Sequence, residues 1–391
     1  MENYEQLKKE AYLNIETYNE LCKELNDYLA DNPEVSGQEF ESSRKIVQIL
    51  REQGYEVEFP FSGYKTAFKA KYGDGKHSRK IAIMTEYDAL PGIGHACGHC
   101  TSAAISILAG LSLKEMQDAL DADIDIIGTP IEETEGAKCT MVKNGVFNQY
   151  DMAVMVHLFG ENLLAPKLQA LDSFIYKFHG KAAHASAAPW EGNNALNGVQ
   201  LMFHAIDMLR QHVKPDVRIH GVVRDGGLAP NIVPETASAE FYIRSMSREY
   251  LNELVKKIDD CAKGAAIATQ TTFEKTPTAE SYDNLKENHT GLTVLAEIYE
   301  ELGLGIGDTE RVFGSSDAGN VSMVCPTFHP ILQIADSTVA IHTREFAKAV
   351  KSPWAYDGII NGAKILILQI LKIFTDKNKF ECMKEDFSKK N

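Results

Sequence analysis

Short apolar segments alternate with helical patterns along the first part of the chain, and this alternation restricts the fold more than any other feature. KIAIMT (80–85), IDIIGTP (124–130) and MAVMVHLF (152–159) have the continuous apolar character of strands covered on both faces. Helical patterns over 102–120 and 136–147 separate them. We therefore predict an α/β domain with a central mixed sheet flanked by helices.

Helices are also predicted at both ends of the chain. Apolar residues recur at helical spacing from Tyr4 to Leu29. A second helix is predicted from Ser36, which forms a capping-box pattern with Glu39, to near Gly54. At the C-terminus we expect one helix from Thr343 to Phe374, followed by a frayed tail over CMKEDFSKKN.

A different pattern begins near residue 168. The strand LDSFIYKFHG alternates apolar and polar residues, and a helix, two strands, a second helix and the strand QTTFEKT follow it. This βαββαβ order predicts a ferredoxin-like α+β domain, an antiparallel sheet with helices on one face. Because the α/β pattern returns afterwards, we expect a small domain, 169–281, inserted into a larger one formed by 1–168 and 282–391.

Charge and composition exclude some partners. A formal net charge of −15 argues against a nucleic-acid or anionic-membrane surface, because phosphates would be repelled. The N-terminus lacks the apolar segment of a signal peptide, and no apolar run approaches the length of a membrane span. The seven cysteines are therefore interpreted as reduced thiols, and we expect a cytoplasmic protein.

The segment LPGIGHACGHCT (90–101) concentrates residues that bind metals. His95, Cys97, His99 and Cys100 fall within six residues, and imidazole and thiolate are good ligands for zinc-like ions. In an extended loop, Cys97 and His99 point the same way. The alternative is a buried, reduced cysteine beside structural histidines.

Two later strands also end in residues of this kind. IDIIGTPIEE leads to Glu132 and Glu133, and MAVMVH leads to His157. An acid pair beside an apolar strand is costly unless cations neutralise it, although two solvated glutamates at a helix start are an alternative. Since neighbours in an extended segment face opposite ways, one glutamate can hold an ion while the other activates water.

These motifs, followed in order by GKAAHASAAPWEGNNAL, APNIVPETASAEFYIR, GSSDAGNVS and IHTREFAKA, resemble those of the M20 metallopeptidase family. The resemblance is strongest to its amidohydrolase branch, which includes aminoacylase-like enzymes and hydrolases of aminobenzoyl-glutamate or dipeptides, and it covers nearly the whole chain. It implies a di-metal catalytic domain, 1–168 and 282–391, and an inserted lid, 169–281, through which the chain forms a homodimer.

The resemblance also implies roles for single residues. Glu132 is expected to be the general base, and Asp88 is expected to orient a ligand histidine. The implied ligands of two divalent ions are Cys97, His99, Glu133, His157 and His342. We expect zinc or manganese, with cobalt or nickel as alternatives.

Three residues of the predicted lid are expected to contact the substrate. The resemblance implies that His184 hydrogen-bonds near the oxyanion, and that Asn231 and Arg244 hold the free carboxylate of the substrate. The alternatives are a core histidine in an alanine-rich turn for His184 and a surface salt bridge for Arg244.

Some positions depart from the branch or remain open. Cys100 stands where the branch commonly has Asp or Asn, and Glu135 follows the acid pair where glycine is usual. His95 is expected to support the ligands, His329 competes weakly with His342, and Asp317 is either at the pocket or in a turn.

The leading hypothesis is metal-dependent hydrolysis of the amide bond of an N-acyl or N-aminoacyl amino acid, or of a small dipeptide. A hydrolase with Cys97 or Cys100 as nucleophile is a different class, since chelation would leave it active. A third possibility is a catalytically inactive relative that binds metal without turnover.

Overall fold

The computed structural model describes residues 2–308 and 311–389. The chain forms two compact units: the first comprises Met1–Lys167, Leu285–Phe313 and Asp317–Asn391, and the second comprises Leu168–Asn284 with Gly314–Ser316. The roles predicted for these parts of the chain, catalytic domain and lid, stay predictions at this point.

Helices and strands follow one another along the chain in three groups. The first group is α1 (Glu2–Asp31), α2 (Phe40–Glu52), β1 (Glu56–Glu58), β2 (Phe68–Lys71), β3 (Arg79–Thr85), α3 (His99–Leu113), α4 (Gln117–Leu120), β4 (Ala122–Gly128), α5 (Ala137–Lys143), β5 (Met152–Val154), β6 (His157–Phe159) and β7 (Lys167–Leu168). The second group is β8 (Ala170–His179), α6 (Ala195–Leu209), β9 (Arg218–Asp225), β10 (Thr236–Ser245), α7 (Arg248–Thr269) and β11 (Thr272–Pro277). The third group is α8 (His289–Glu301), β12 (Val312–Gly314), α9 (Ala318–Val324), β13 (Thr327–Phe328), β14 (Ile331–Gln333), α10 (Arg344–Ala349), α11 (Pro353–Phe374) and α12 (Lys377–Ser388).

The first unit is built on a mixed sheet of six strands in the order β1-β2-β4-β3-β5-β13. Strands β4, β3, β5 and β13 run parallel, and β1 and β2 are antiparallel additions at one edge. Along β3, Ile81 and Ile83 belong to one core, shared with α1, α3 and α11, while Ala82 and Met84 belong to a second core with residues of α5 and α9. Both faces are therefore covered, which confirms the predicted α/β class.

The segment MAVMVHLF is not the single strand that we predicted. It forms β5 in the large sheet and then β6, which pairs in parallel with β14 and places His157 opposite Ile331. The break between β5 and β6 lies directly before His157, so a predicted ligand begins a new strand.

The capping-box prediction for α2 was wrong. The helix begins at Phe40, and Glu39 makes no capping hydrogen bond with its side chain. Instead, Glu39 Oε1 accepts hydrogen bonds from the backbone N–H groups of Gly37 (2.8 Å) and Ile131 (3.0 Å), and Ser36 Oγ donates to Asp88 Oδ2 (2.5 Å). Both polar side chains are thus drawn into tertiary contacts.

The C-terminal prediction also needs correction. The predicted single helix is divided into α10 and α11, because Thr343 and Ser352 each cap a new helix and Pro353 begins the second. The tail forms α12 up to Ser388 and buries Phe380 and Met383, so the predicted fraying was wrong over these residues. Lys390 and Asn391 lie outside the described part of the chain.

The second unit has the predicted βαββαβ order. Its antiparallel sheet has the strand order β11-β8-β10-β9, and α6 and α7 pack on one face around the aromatic residues Tyr176, Phe178 and Phe241. The predicted ferredoxin-like arrangement is confirmed. Strand β9 ends the sheet, and most of its residues are exposed.

One property concerns membranes. No individual helix in 2–308 or 311–389 has the length and hydropathy of a membrane span, whereas α11 and α12, bent by 99°, meet that criterion together by length and composition.

Candidate metal centre

The loop between β3 and α3 positions two of the predicted ligands. Gly98 has φ 85°, and a Cβ atom there would lie 3.0 Å from Leu158 Cβ, so a larger residue is disfavoured on both grounds. The turn at Gly98 separates Cys97 from His99, the first residue of α3. Both side chains are buried.

Two non-glycine residues with positive φ stand at the other ligand segments. His342 has φ 63°, and its backbone N–H donates to Ala96 O at 2.8 Å, which ties it to the Cys97 loop. Ile131, directly before the acid pair, has φ 64° and is held by Glu39. Such backbone conformations cost about 1–3 kcal/mol each and persist where surrounding contacts enforce them.

The five predicted ligands lie close together. Cys97 Sγ is 3.4 Å from His157 Nε2, and His342 Nε2 is 3.6 Å from Glu133 Oε1. Ligand atoms that share a tetrahedral zinc ion lie roughly 3.3–3.8 Å apart, given metal bonds of about 2.0–2.3 Å. The described residues include three groups whose ligand atoms lie within 4.8 Å of one another and that share members: Cys97, His99 and His157; Cys97, Glu133 and His342; His99, Glu132 and Glu133.

The donor set fits bound cations by two further observations. His99 Nε2 and Glu133 Oε1 are buried and have no hydrogen-bond partner in the described structure. Thiolate, imidazole and carboxylate together are the ligands of zinc-like ions. Cys97, His99 and Glu133 each belong to two of the three groups, so the groups share donors and form one continuous set.

Asp88 fixes the orientation of His99. The ring Nδ1 lies 2.9 Å from Asp88 Oδ1 and 3.0 Å from its carbonyl oxygen, so Nδ1 carries the hydrogen and Nε2 is left for a metal. Against the effect of burial, Asp88 and nearby acids raise the pKa of His99 well above its usual value. Asp88 Oδ2 also accepts the Glu133 backbone N–H at 3.0 Å, which links it to the acid pair.

The acid pair is largely buried and has other acids nearby. The side chains of Glu132 and Glu133 are only 11% and 10% exposed. Burial, together with Glu86 and Glu133, raises the pKa of Glu132 well above that of an ordinary glutamate. A carboxylate with a raised pKa is a better proton acceptor.

Sequence reasoning missed a buried lysine beside the acid pair. Lys138 donates hydrogen bonds from Nζ to Glu86 Oε1 (2.5 Å) and Asp317 Oδ1 (2.7 Å), and all three side chains are almost fully buried. Asp317, for which the sequence left a turn as an alternative, is thus part of this cluster. The sequence feature that could have indicated this cluster is the lysine in the otherwise apolar first turn of α5.

The remaining histidines and cysteines near the site have supporting positions. His95 and His329 are buried and belong to none of the ligand groups, and burial lowers the pKa of His95 to about 3 and of His329 to about 4. The His329 ring lies 5.7 Å from the His157 ring, centroid to centroid. Cys100 belongs to the main core, and burial raises the pKa of its thiol to about 12.

Of the three residues of the second unit that are predicted to contact the substrate, the structure brings together only His184 and Asn231. His184 and Asn231 are exposed, and the neighbouring Ala185 N–H donates to Asn231 O at 3.0 Å. Arg244 lies near the opposite end of β10, where its Nη1 donates to Ser315 Oγ at 2.8 Å. The strand from Thr236 to Arg244 spans roughly 26 Å. Asn231 and Arg244 of one chain are therefore too far apart to hold the same carboxylate, and their roles in substrate binding stay predictions.

The fold and the donor set define the class of this protein: an α/β chain with a candidate two-ion centre at the ends of its parallel strands. Residues 168–269 match the sequence model of a protein family, the peptidase dimerisation domain of M20 type. The chain is 31% identical to an Xaa-Arg dipeptidase of Mus musculus over 98% of this chain and 92% of that protein. It is 30% identical to one of the subunits of the p-aminobenzoyl-glutamate hydrolase of Escherichia coli K12, over 66% of this chain and 58% of that protein.

Solved structures share the fold. An M20 dinuclear metal-binding peptidase of Bacillus subtilis aligns with a TM-score of 0.68 at 20% identity, covering 90% of this chain and 99% of that one. The aminobenzoyl-glutamate utilization protein of Klebsiella pneumoniae aligns with a TM-score of 0.72 at 17% identity, covering 92% and 97%. The chain belongs to the M20 family of amidohydrolases and dipeptidases. The prediction of an enzyme that hydrolyses amide bonds is confirmed at this level.

Proposed function

We propose that this protein is a metal-dependent amidohydrolase that cleaves the amide bond of small dipeptides or N-acyl amino acids. The observation that carries the proposal is the convergence of five ligand-type side chains beside the acid pair. Cys97, His99, Glu133, His157 and His342 would hold two divalent ions, zinc or manganese, with cobalt or nickel as alternatives. Bound there, such ions supply Lewis acidity toward the scissile carbonyl and the attacking water.

The chain's own groups would manage the protons. Glu132, whose pKa is raised by burial and neighbouring acids, accepts a proton from the attacking water and returns it to the leaving amine. Asp88 keeps the Nδ1 hydrogen on His99 and, through the Glu133 backbone, fixes the acid pair.

The second unit would supply contacts to the substrate from two chains. His184 would stabilise the oxyanion, and Asn231 and Arg244 would bind carboxylate groups. Because Asn231 precedes β10 and Arg244 lies near the end of that strand, we infer that they serve different active sites of a homodimer. The match to the dimerisation domain supports this arrangement.

Strand β9 is the proposed dimer surface. It ends the sheet, and Val222 and Val223 on it are 54% and 50% exposed, while Leu228 just beyond it is 93% exposed. An open apolar edge strand favours pairing with a second copy. Replacing Val222 and Val223 by Asp should produce monomers in analytical ultracentrifugation, and a dimer of unchanged affinity would refute this surface.

The proposed substrate has a cationic leaving group, such as a C-terminal arginine or lysine. The name of the mouse relative, Xaa-Arg dipeptidase, supports this choice. Glu135 also supports it, because this exposed glutamate follows the acid pair by two residues and adds negative charge near the site. Glu135→Gln should raise KM for dipeptides ending in a basic residue and leave KM for neutral ones unchanged.

The test of the function is Glu132→Gln in protein of measured metal content. Hydrolysis of a panel of dipeptides, N-acyl amino acids and aminobenzoyl-glutamate, followed by the released amino acid, should fall about 10²- to 10⁴-fold while the metal content stays. Full activity with bound metal would refute the mechanism. For substrates with a neutral leaving group, Glu135→Gln is the matched control, because it makes the same chemical change three residues away and should leave their hydrolysis unchanged.

The other candidate functions have distinct outcomes. Burial raises the pKa of the Cys97 thiol well above its usual value, which disfavours a free thiolate nucleophile. A thiol hydrolase would stay active after chelation, and a non-catalytic relative would bind metal but turn over no member of the panel. We also propose a cytoplasmic location, supported by the seven cysteines, all of which are free thiols.

A further inference from the structure

Another set of possible metal ligands, made only of carboxylates, shares Glu132 with the groups of the candidate metal centre. Oxygen atoms of Glu86, Glu132 and Asp317 lie within 4.8 Å of one another. Carboxylates alone favour hard cations such as Mn²⁺, Mg²⁺ or Ca²⁺, unlike the Cys and His groups next to them. This arrangement would compete for ions with the five-ligand site.

A lysine of the same chain supplies a positive charge to these carboxylates. Lys138 Nζ hydrogen-bonds to Glu86 Oε1 at 2.5 Å and to Asp317 Oδ1 at 2.7 Å. The Lys138 backbone N–H donates to Asp317 Oδ2 at 3.0 Å, so both Asp317 oxygens are held by one residue. The side chains of Lys138 and Asp317 are fully buried, and that of Glu86 is 1% exposed.

The contacts of Glu86 connect this cation to the ligands. With Oε1 on Lys138, the other oxygen, Oε2, is 3.4 Å from His99 Nε2. Glu86 thus contacts the ammonium group of Lys138 with one oxygen and faces a predicted ligand histidine with the other. Buried charges of this kind are stable only when they are paired, and removal of the lysine would leave its acids without their cation.

We propose that Lys138 is a positioning residue that takes the place of an oxygen-ligated metal ion among Glu86, Glu132 and Asp317. It thereby confines divalent ions to the site of Cys97, His99, Glu133, His157 and His342. The inference rests on the proposed function, because it assumes that ions bind there.

An ordinary buried ion pair is the competing explanation, and the same unit offers a matched comparison. Lys69 Nζ lies 3.1 Å from Asp125 Oδ2, and these side chains are 7% and 6% exposed. Asp125 belongs to none of the cation-binding groups found among the described residues. If buried lysines act only through stability, Lys69→Met and Lys138→Met should behave alike toward metal ions.

The experiment measures metal stoichiometry in full-length wild-type protein, Lys138→Met and Lys69→Met. Each is loaded with Mn²⁺, dialysed, and analysed for bound metal and by Mn²⁺ electron paramagnetic resonance. Lys138→Met should bind one equivalent more than wild type, in an all-oxygen environment, and Lys69→Met should bind the same as wild type. The double variant Lys138→Met/Asp317→Asn should lose the additional equivalent, because too few carboxylates remain.

The outcomes separate this inference from the proposed function. If wild type binds no ions, the proposed metal site is wrong. If wild type binds ions and folded Lys138→Met binds no more than wild type, only the role of Lys138 is wrong. If Lys138→Met is unfolded without metal, Mn²⁺ should restore its folding but not that of a destabilised Lys69→Met, and failure of that rescue overturns the proposal.

Discussion

The predicted functional residues of the first unit and those of the second differ in how far one folded chain positions them. In the first unit, Cys97 and His157 come within 3.4 Å although 60 residues separate them in sequence. In the second unit, Asn231 and Arg244 are only 13 positions apart in the sequence, yet a strand of roughly 26 Å keeps them apart.

Burial explains most of the difference, although the side chain of His342 in the first set is 49% exposed. Ligand groups such as Cys97 and His99 are enclosed by the core, and each is oriented by a specific contact. His184 and Asn231 are exposed, and the packing of one chain gives them no common target. The first set is thus organised by folding, whereas the second requires an additional surface, which we propose to be a second copy of the chain.

The largest expected effect follows from Cys97→Ser. Metal affinity should fall more than roughly 100-fold, because even a residue that only orients a ligand is worth roughly 10- to 100-fold. Activity should fall with it. The measurement is metal content after dialysis against buffered free metal, and retention of wild-type content would remove Cys97 from the ligand set.

The next effect concerns His184, which we expect to act on the active site of the partner. His184→Ala should lower kcat about 10²- to 10³-fold, the cost of one missing oxyanion donor, and leave the metal content unchanged. A loss of metal would instead give it a role in holding the ions.

Mixed dimers sharpen this prediction. When His184→Ala chains are refolded with Glu132→Gln chains, about a quarter of the wild-type activity should return, because half of the dimers are mixed and each has one intact site. If His184 acted within its own chain, no mixture of these two inactive variants would be active.

The side chains of the predicted ligand set lie close together, as the sequence indicated, whereas the contacts around them were not foreseen, and the reason is physical. Cys97, Glu133 and His157 follow apolar strands, and the ends of parallel strands meet at one edge of a sheet. The contacts of Lys138 join it to Glu86 and Asp317 across 52 and 179 residues, a separation that no local pattern reveals. The capping box predicted from Ser36 and Glu39 does not form, because both side chains have other partners. Ser36 hydrogen-bonds to Asp88, and Glu39 accepts from the backbone N–H groups of Gly37 and Ile131.

A smaller effect is expected at the base of the second unit. Arg248 hydrogen-bonds to Asp172 (2.9 Å), Asp283 (2.7 Å) and the carbonyl oxygen of Tyr282, and so joins the segments where the chain enters and leaves this unit. Arg248→Met should lower the free energy of unfolding of the second unit by about 2–3 kcal/mol, because partly buried acids lose their partner. Hydrogen exchange should increase in 168–284 and not at α3, with bound metal unchanged.

The control for that change is Arg210→Met in the same unit. Arg210 and its partner Asp207 are 44% and 62% exposed, so their ion pair is worth at most about 1 kcal/mol. Equal destabilisation by both variants would show that Arg248 is no more than another surface charge.

The smallest effect is expected for Cys100→Ser, only three residues from Cys97. The Cys100 side chain is fully buried in the main core, and its Sγ lies 3.8 Å from Thr101 Oγ1. A serine hydroxyl there should cost about 1 kcal/mol of unfolding free energy, measured by thermal or denaturant unfolding. Metal content and kcat should stay at wild-type values, because Cys100 belongs to none of the ligand groups found in the described residues. If Cys100→Ser loses metal while Cys97→Ser keeps it, the two cysteines have the opposite roles, and the position of Cys100 in the core does not exclude it from the site.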